Sequence, residues 1–140
     1  MIRLLQISSV EILNAALDLC YPILGHEDHD VYCREAWMER FHSGGQPLVC
    51  AESDGEIIAA VLGRSENADD LVLGFCACRE DFRHQGITSR LMQMFESLAK
   101  DMGYRKITLG SRLDAFYEKC GYDLLCEMHG QNIYQKILKP

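Results

Sequence analysis

The sequence predicts a single α/β domain of the α+β kind, in which two helices lead into a run of strands. Three observations carry this reading. Apolar residues recur at helical spacing as far as Phe41 and take on strand character from Leu48. An Asp54-Gly55 pair joins two β-rich runs, which is a strong hairpin signal. One amphipathic stripe from Ile87 to Met102 then interrupts the strands, and no internal repeat or low-complexity linker divides the chain.

Taken in order, Ser8 with Glu11 three residues on is a capping-box pattern. Behind it Val10, Leu13, Leu17 and Cys20 share one face, so the first helix is expected to run to about Pro22. The acidic stretch Gly25-His26-Glu27-Asp28-His29-Asp30 reads as loop or helix start. Cys33, Ala36, Trp37 and Phe41 suggest a second helix stopped by Gly44-Gly45. Leu48 to Glu52, Glu56 to Gly63 and Leu71 to Cys78 read as three antiparallel strands in a meander. The helix with Ile87, Leu91, Met94, Phe95, Leu98 and Met102 on one stripe ends at Gly103. A short strand follows from Lys106 to Leu109, then a short helix from Leu113 to Cys120 closed by Gly121. Tyr122 to Met128 and Ile133 to Leu138 are the last strands, around His129-Gly130. An exposed edge of Ile133 to Leu138 suits pairing with a second copy, so a homodimer is one expectation.

Composition narrows the function. At 140 residues, with 48% apolar and 25% charged residues, the chain has the balance of an ordinary globular domain with one core. A net charge of -7 argues against a nucleic-acid partner, which calls for a basic face, and fits a cationic or neutral substrate better. Seven cysteines are too sparse for a disulfide scaffold, and those at Cys50, Cys76 and Cys78 have apolar neighbours, so they read as small buried hydrophobes in a reduced, cytoplasmic protein. The first eight residues show no leader pattern, and the longest apolar run, Leu71 to Cys78, is far short of a membrane span.

The informative stretch runs from Cys76 to Ser89, where a strand ends, a charged loop turns and a helix begins. Free backbone N–H groups at a helix start point outward, and the helix dipole favours an anion there. A pyrophosphate suits such a nest. Gly86 lets a phosphate approach the backbone without meeting a Cβ. Arg83 adds fixed positive charge, and Thr88 and Ser89 offer hydroxyls. There is no Gly-Lys-Ser/Thr ending, which excludes a P-loop, and a single glycine with flanking strands that look antiparallel excludes a dinucleotide fingerprint.

Arg83-His84-Gln85-Gly86-Ile87-Thr88 resembles the Arg/Gln-x-x-Gly-x-Gly/Ala pyrophosphate motif of the GNAT superfamily of N-acetyltransferases, with Thr88 departing at the last position. Phe116-Tyr117-Glu118-Lys119-Cys120-Gly121-Tyr122 is similar to a second signature of that superfamily, near its C-terminus. The Asn that often precedes it is not evident; Ser111 and Arg112 lie nearby. The resemblance implies a central mixed, mostly antiparallel sheet splayed in the middle and flanked by about four helices. It also implies a function, transfer of an acetyl group from acetyl-CoA to a primary amine of a small molecule or peptide by direct attack, without a covalent enzyme intermediate. The backbone of Cys76, Ala77 and Cys78 would hold the pantetheine arm like another strand, Arg83 to Ser89 would hold the pyrophosphate, and Tyr117 would protonate the leaving thiolate. Phe116 reads as packing between helix and sheet.

The general base is less marked. Glu80 is the first choice, ahead of Asp81, Asp69 and Asp70, and water can relay the proton. His26-Glu27-Asp28-His29-Asp30 has metal-ligand residue types but reads as a hydrated acidic loop, or as part of an acceptor-binding lid, so no metal is expected. Cys76-x-Cys78 reads as packing rather than redox or metal chemistry. Tyr32, Trp37 and Phe41 fit either a helix–helix core or an apolar acceptor pocket. The competing readings are a non-catalytic acyl-CoA-binding module of the same fold and, more weakly, a thiol hydrolase using Cys50 or Cys120.

Overall fold

A computed structural model describes residues 1–112 and 114–139, with Asp114 described by its backbone alone. The elements are β1 (Ile2–Gln6), α1 (Val10–Leu24), α2 (Arg34–Ser43), β2 (Leu48–Ser53), β3 (Glu56–Ser65), β4 (Asp70–Cys78), a 3₁₀ turn (Glu80–Phe82), α3 (Ile87–Asp101), β5 (Lys106–Ser111), α4 (Asp114–Lys119), β6 (Asp123–Met128) and β7 (Gln131–Ile137). Among the described residues one sheet runs in the order β1-β2-β3-β4-β5-β7-β6. Only the β4–β5 pairing is parallel, so the sheet is mixed and mostly antiparallel, as expected. None of the described helices is long and apolar enough to cross a membrane.

Several local expectations change. β1 was not foreseen, because Ile2-Arg3-Leu4-Leu5-Gln6 does not alternate cleanly; it exists because it pairs antiparallel with β2 over five residues. Ser9, not Ser8, caps α1: it is extended (φ -145°, ψ 159°) and its Oγ accepts from the Ile12 N–H at 3.2 Å. Glu11 then sits in the first turn, where a negative charge complements the dipole. α1 also passes through Pro22 to Leu24. A proline in the last turn removes one backbone donor without ending the helix, which closes instead where the Gly25 N–H reaches the Tyr21 carbonyl at 2.8 Å. The expected helix start at Leu113 lies outside the described residues.

The sheet edge is also corrected. β7 inserts between β5 and β6, so Ile133 to Leu138 is not an edge. The β6–β7 hairpin folds outward from β5, which leaves β6 as the edge with all six of its residues exposed.

Two apolar layers cover the sheet. Leu91, Phe95 and Ala99 of α3 pack on one face with Leu71, Ile107 and Tyr134. Leu13 and Leu17 of α1 and Trp37 of α2 pack on the other with Leu62 and Phe75. β4 contributes to both layers through a bulge. Leu62 pairs with Phe75 and Gly63 with Leu73, which leaves Gly74 without a partner. The extra residue reverses the alternation. Leu71 and Leu73 face the α3 side before the bulge, Cys76 and Cys78 face it after, and Phe75 and Ala77 turn to the α1–α2 side.

Gly74 is small because Tyr32 and Trp37 pack directly on it. Tyr32 stacks on Phe75 with ring centroids 5.3 Å apart, and a Cβ on Gly74 would come 2.9 Å from Trp37 Cη2 and 3.1 Å from Tyr32 Cε1. Gly74→Ala is therefore expected to destabilise the fold by about 1–3 kcal/mol through overpacking. Urea denaturation measures this, and an unchanged midpoint would show that Tyr32 and Trp37 do not rest on β4 as described.

Candidate active site

β4 and β5 run together for three register pairs only, Asp70↔Lys106, Leu71↔Ile107 and Val72↔Thr108. Beyond them β4 stays with β3 to Cys78, while β5 leaves with β7 to Ser111. The backbone of β4 from Leu73 onward thus has a strand on one side only. A cavity of about 950 Å³ opens there. Cys76, Ala77 and Cys78 form its β4 wall, and Gly86 to Ser89 at the start of α3 form one end. Ala115, Phe116, Tyr117 and Lys119 of α4 close it opposite, with Arg112 beside them and Ile23 and Leu24 arriving from the end of α1.

The turn between β4 and α3 is held by its own charges. Arg79 bonds Asp81 (Nε···Oδ1 2.7 Å) and Glu56 across the sheet (Nη1···Oε2 2.8 Å). These partners push Arg79 above the usual guanidinium range, and Arg79 holds Asp81 below the usual carboxylate range. Arg83 donates from Nε to the Cys78 carbonyl at 3.1 Å, which ties its guanidinium to the end of the strand. His84 (φ 65°) and Gly86 (φ 76°) both adopt the left-handed conformation, the kind of backbone from which concave N–H nests are built. α3 has no side-chain cap, so its first N–H groups are unclaimed by a capping oxygen. A Cβ on Gly86 would meet nothing within 4 Å, and Gly86 lines the cavity.

Thr88 lines the cavity too, but its hydroxyl bonds the Cys78 thiol. Burial raises the Cys78 pKa, while Thr88 and the nearby Arg83 pull it back. The hydroxyl that departs from the Gly/Ala pattern thus has a partner on β4.

Tyr117 is 6% exposed and packs edge-on against Phe116, with centroids 5.0 Å apart. Burial, reinforced by a hydrogen bond with the Cys76 thiol, raises its hydroxyl well above the ordinary phenol range. Burial likewise pushes Cys76 up to about 11 against the opposing effect of Tyr117. Both groups are therefore neutral near pH 7: a proton donor beside a protonated thiol, on the wall of one cavity. Behind them Tyr122 donates to Glu96 Oε2 at 2.9 Å, and Lys136 Nζ bridges Glu96 Oε1 and the Cys120 carbonyl, each at 2.8 Å. This network fixes the end of α4 to α3 and β7.

A family model described as the acetyltransferase (GNAT) family matches residues 10–122. The chain belongs to the GNAT acetyltransferase family. No curated protein matches this GNAT chain in sequence. Solved structures show the same fold at low identity. An aminoglycoside 6'-N-acetyltransferase complexed with coenzyme A matches with a TM-score of 0.80 and 17% identity, covering 99% of this chain and 98% of that one. N-acetylglutamate synthase from Neisseria gonorrhoeae, complexed with coenzyme A and N-acetyl-glutamate, matches with a TM-score of 0.77 and 16% identity; this chain is covered fully but spans only 36% of that protein. A GNAT acetyltransferase from Elizabethkingia anophelis with acetyl-CoA bound matches with a TM-score of 0.71 and 17% identity over 98% of each chain.

Within this GNAT domain, Cys76, Ala77, Cys78, Arg83, His84, Gly86, Ile87, Thr88, Ser89 and Tyr117 share one cavity. Gln85 and Glu80 do not line it: both are exposed, Glu80 in the 3₁₀ turn. Asp69 and Asp70 lie at the far end of β4 and face Arg105 and Lys106, each at 3.7 Å. Phe116 packs against the α3-side core, as its sequence reading expects, and also lines the cavity, while the neighbouring Tyr117 is the more deeply buried ring. Lys119, three residues after Phe116, is on the same wall, a helical spacing visible in the sequence. Ile23 and Leu24 were missed because the helix was expected to stop at Pro22. His26 and His29 form a ring cluster with Tyr32, with centroids 5.7–6.2 Å apart.

The thiols give a direct check. At pH 8 iodoacetamide is expected to label exposed Cys126 readily and half-buried Cys76 far more slowly, with Cys76 labelling rising as the pH nears 11. Peptide mass spectrometry reads this, and labelling of Cys76 as rapid as that of Cys126 at pH 8 would contradict its protonated state.

Proposed function

We propose that the chain binds acetyl-CoA along the unpaired side of β4 and transfers the acetyl group to a primary amine by direct attack. The observation that carries this is continuity: one cavity joins the nest at the start of α3, the free β4 backbone and the Tyr117 hydroxyl. The group fits the residues present. A diphosphate needs N–H donors, positive charge and no Cβ, which Gly86, Arg83 and the α3 start supply. An extended arm needs backbone partners, which Cys76, Ala77 and Cys78 supply. Similar folds with coenzyme A or acetyl-CoA bound support the same reading.

In this reading a β4 N–H donates to the thioester oxygen as charge builds there. The acceptor amine, aligned with the carbonyl, attacks in its neutral form, so no enzyme nucleophile is needed. Tyr117 donates a hydrogen bond to the departing sulfur as negative charge builds on it. Its raised pKa keeps the hydroxyl protonated, and because a thiol is the stronger acid the thiolate takes its proton finally from solvent. Glu80 is the final proton acceptor, reached through solvent because it lies outside the cavity. Among the candidate carboxylates described, Asp81 is tied to Arg79 and Asp69 and Asp70 face the far cations, whereas Glu80 has no ion pair. The competing non-catalytic module would keep the nest without the transfer.

Release of free CoA thiol from acetyl-CoA in the presence of an amine panel tests the reading. Tyr117→Phe is expected to lower kcat by about 10²-fold with little change in the acetyl-CoA KM. Stabilisation by acetyl-CoA without turnover of any amine would overturn the catalytic reading in favour of a binding module.

A further inference from the structure

The cavity has a one-sided charge. The chain carries 21 acidic residues against 14 Lys and Arg, yet among the described residues no Asp or Glu lines this cavity. Its charged side chains are Arg83, Arg112 and Lys119, with His84 beside them. Arg83 and His84 stand at the start of α3, where the diphosphate is assigned. Arg112 enters from the other wall, directly after β5, with its Nη2 3.8 Å from where a Cβ of Gly130 would lie in the β6–β7 turn.

Arg3, Arg34, Arg64, Arg79 and Arg105 each face a carboxylate of this chain within 4 Å. Arg40, Arg83, Arg90 and Arg112 have no ion pair among the described residues, and of these four Arg83 and Arg112 line the cavity, Arg83 on the diphosphate side and Arg112 opposite. A guanidinium left without a counter-ion on a cavity wall can take a carboxylate from a ligand, and its planar fork suits that shape.

Resting on the acetyltransferase reading above, we infer that the acceptor is an amine that also carries a carboxylate, as an amino acid does, with Arg112 holding the carboxylate. Two effects of the charge act together. With Arg83 given to the diphosphate, a second ammonium on the acceptor would still meet Arg112 and Lys119 with no carboxylate among the described lining residues, which disfavours diamines and polyamines. The same positive field disfavours the protonated form of the attacking amine and so raises the fraction that is neutral and nucleophilic. The cavity thereby supplies part of what a general base would do, in a site whose described lining has no carboxylate base.

The test uses acetyl-CoA and three kinds of amine: α-amino acids, their C-terminal amides and 1,4-diaminobutane, with free CoA thiol as the readout. Wild-type protein is expected to prefer an amino acid over its amide and over the diamine by at least tenfold in kcat/KM. Arg112→Ala is expected to raise the amino-acid KM roughly 10- to 100-fold, the range for losing a hydrogen bond to a charged group, and to erase the preference over the amide. Arg112→Lys should restore part of it. The acetyl-CoA affinity of each variant, measured by calorimetry, should move far less than the acceptor KM. Equal or faster acetylation of the diamine, no acetylation of any amino acid, or a loss of acetyl-CoA affinity in Arg112→Ala with the acceptor profile unchanged would each overturn the inference. If wild-type protein fails to bind acetyl-CoA, the cofactor reading beneath it falls instead.

Discussion

The structure depends on a break in the sheet. After Val72↔Thr108 the parallel pairing of β4 and β5 stops, although both strands continue, and every feature of the candidate site is arranged around that opening. Backbone groups of a strand need partners, so an opening inside a sheet is costly unless something else satisfies or shelters it. Here α4 leans into the gap and places Tyr117 against Cys76, while the turn after β4 bends Arg83 back to the Cys78 carbonyl. The bulge at Gly74 belongs to the same arrangement. By reversing the alternation it turns Cys76 and Cys78 toward α3 and α4 and gives Phe75 to the α1–α2 side. If the strand alternated regularly through Gly74, with no bulge, it would present Phe75 and Ala77 to the opening instead.

Much of this is legible in the sequence where one local interaction decides the outcome. The Asp54-Gly55 hairpin, the α3 stripe and the strand–turn–helix passage around Gly86 each follow from a few neighbouring residues. The features that were not legible are decided by distant partners. β1 is held by β2, some fifty residues away, and its own pattern of apolar residues is irregular. β7 lies inside the sheet because it pairs with β5 and β6 at once, which no feature of Ile133 to Leu138 announces. Pro22 reads as a stop in the sequence, but its position in the final turn costs a single donor, and the extra residues Ile23 and Leu24 reach the cavity. Of the site, the motif residues converge on one cavity, with Gln85 outside it. Glu80 was chosen for its nearness in sequence to Cys78, and the 3₁₀ turn carries it away from the cavity wall.

Thr88 shows how a departure from a motif is absorbed. A hydroxyl in the nest has two destinations, a ligand oxygen or the protein. Here the hydroxyl goes to the Cys78 thiol, a partner that exists because the bulge turned that thiol toward α3. The residue therefore ties the helix start to the strand end, and the first N–H groups of α3 stay without a side-chain cap. Charge is divided in the same manner. The acidic excess lies outside the cavity, in ion pairs and on solvated faces, and the described cavity lining keeps only cations among its charged residues.

The central claim is that the free side of β4 from Leu73 to Cys78 receives the arm of acetyl-CoA as if it were the missing strand. Amide hydrogen exchange with and without acetyl-CoA tests it most directly, because it reads the backbone donors themselves. The account predicts new protection concentrated on β4 between Leu73 and Cys78 and on the start of α3 from Gly86 to Ser89. Protection at α3 alone, or binding of acetyl-CoA that leaves the exchange of β4 unchanged, would contradict it.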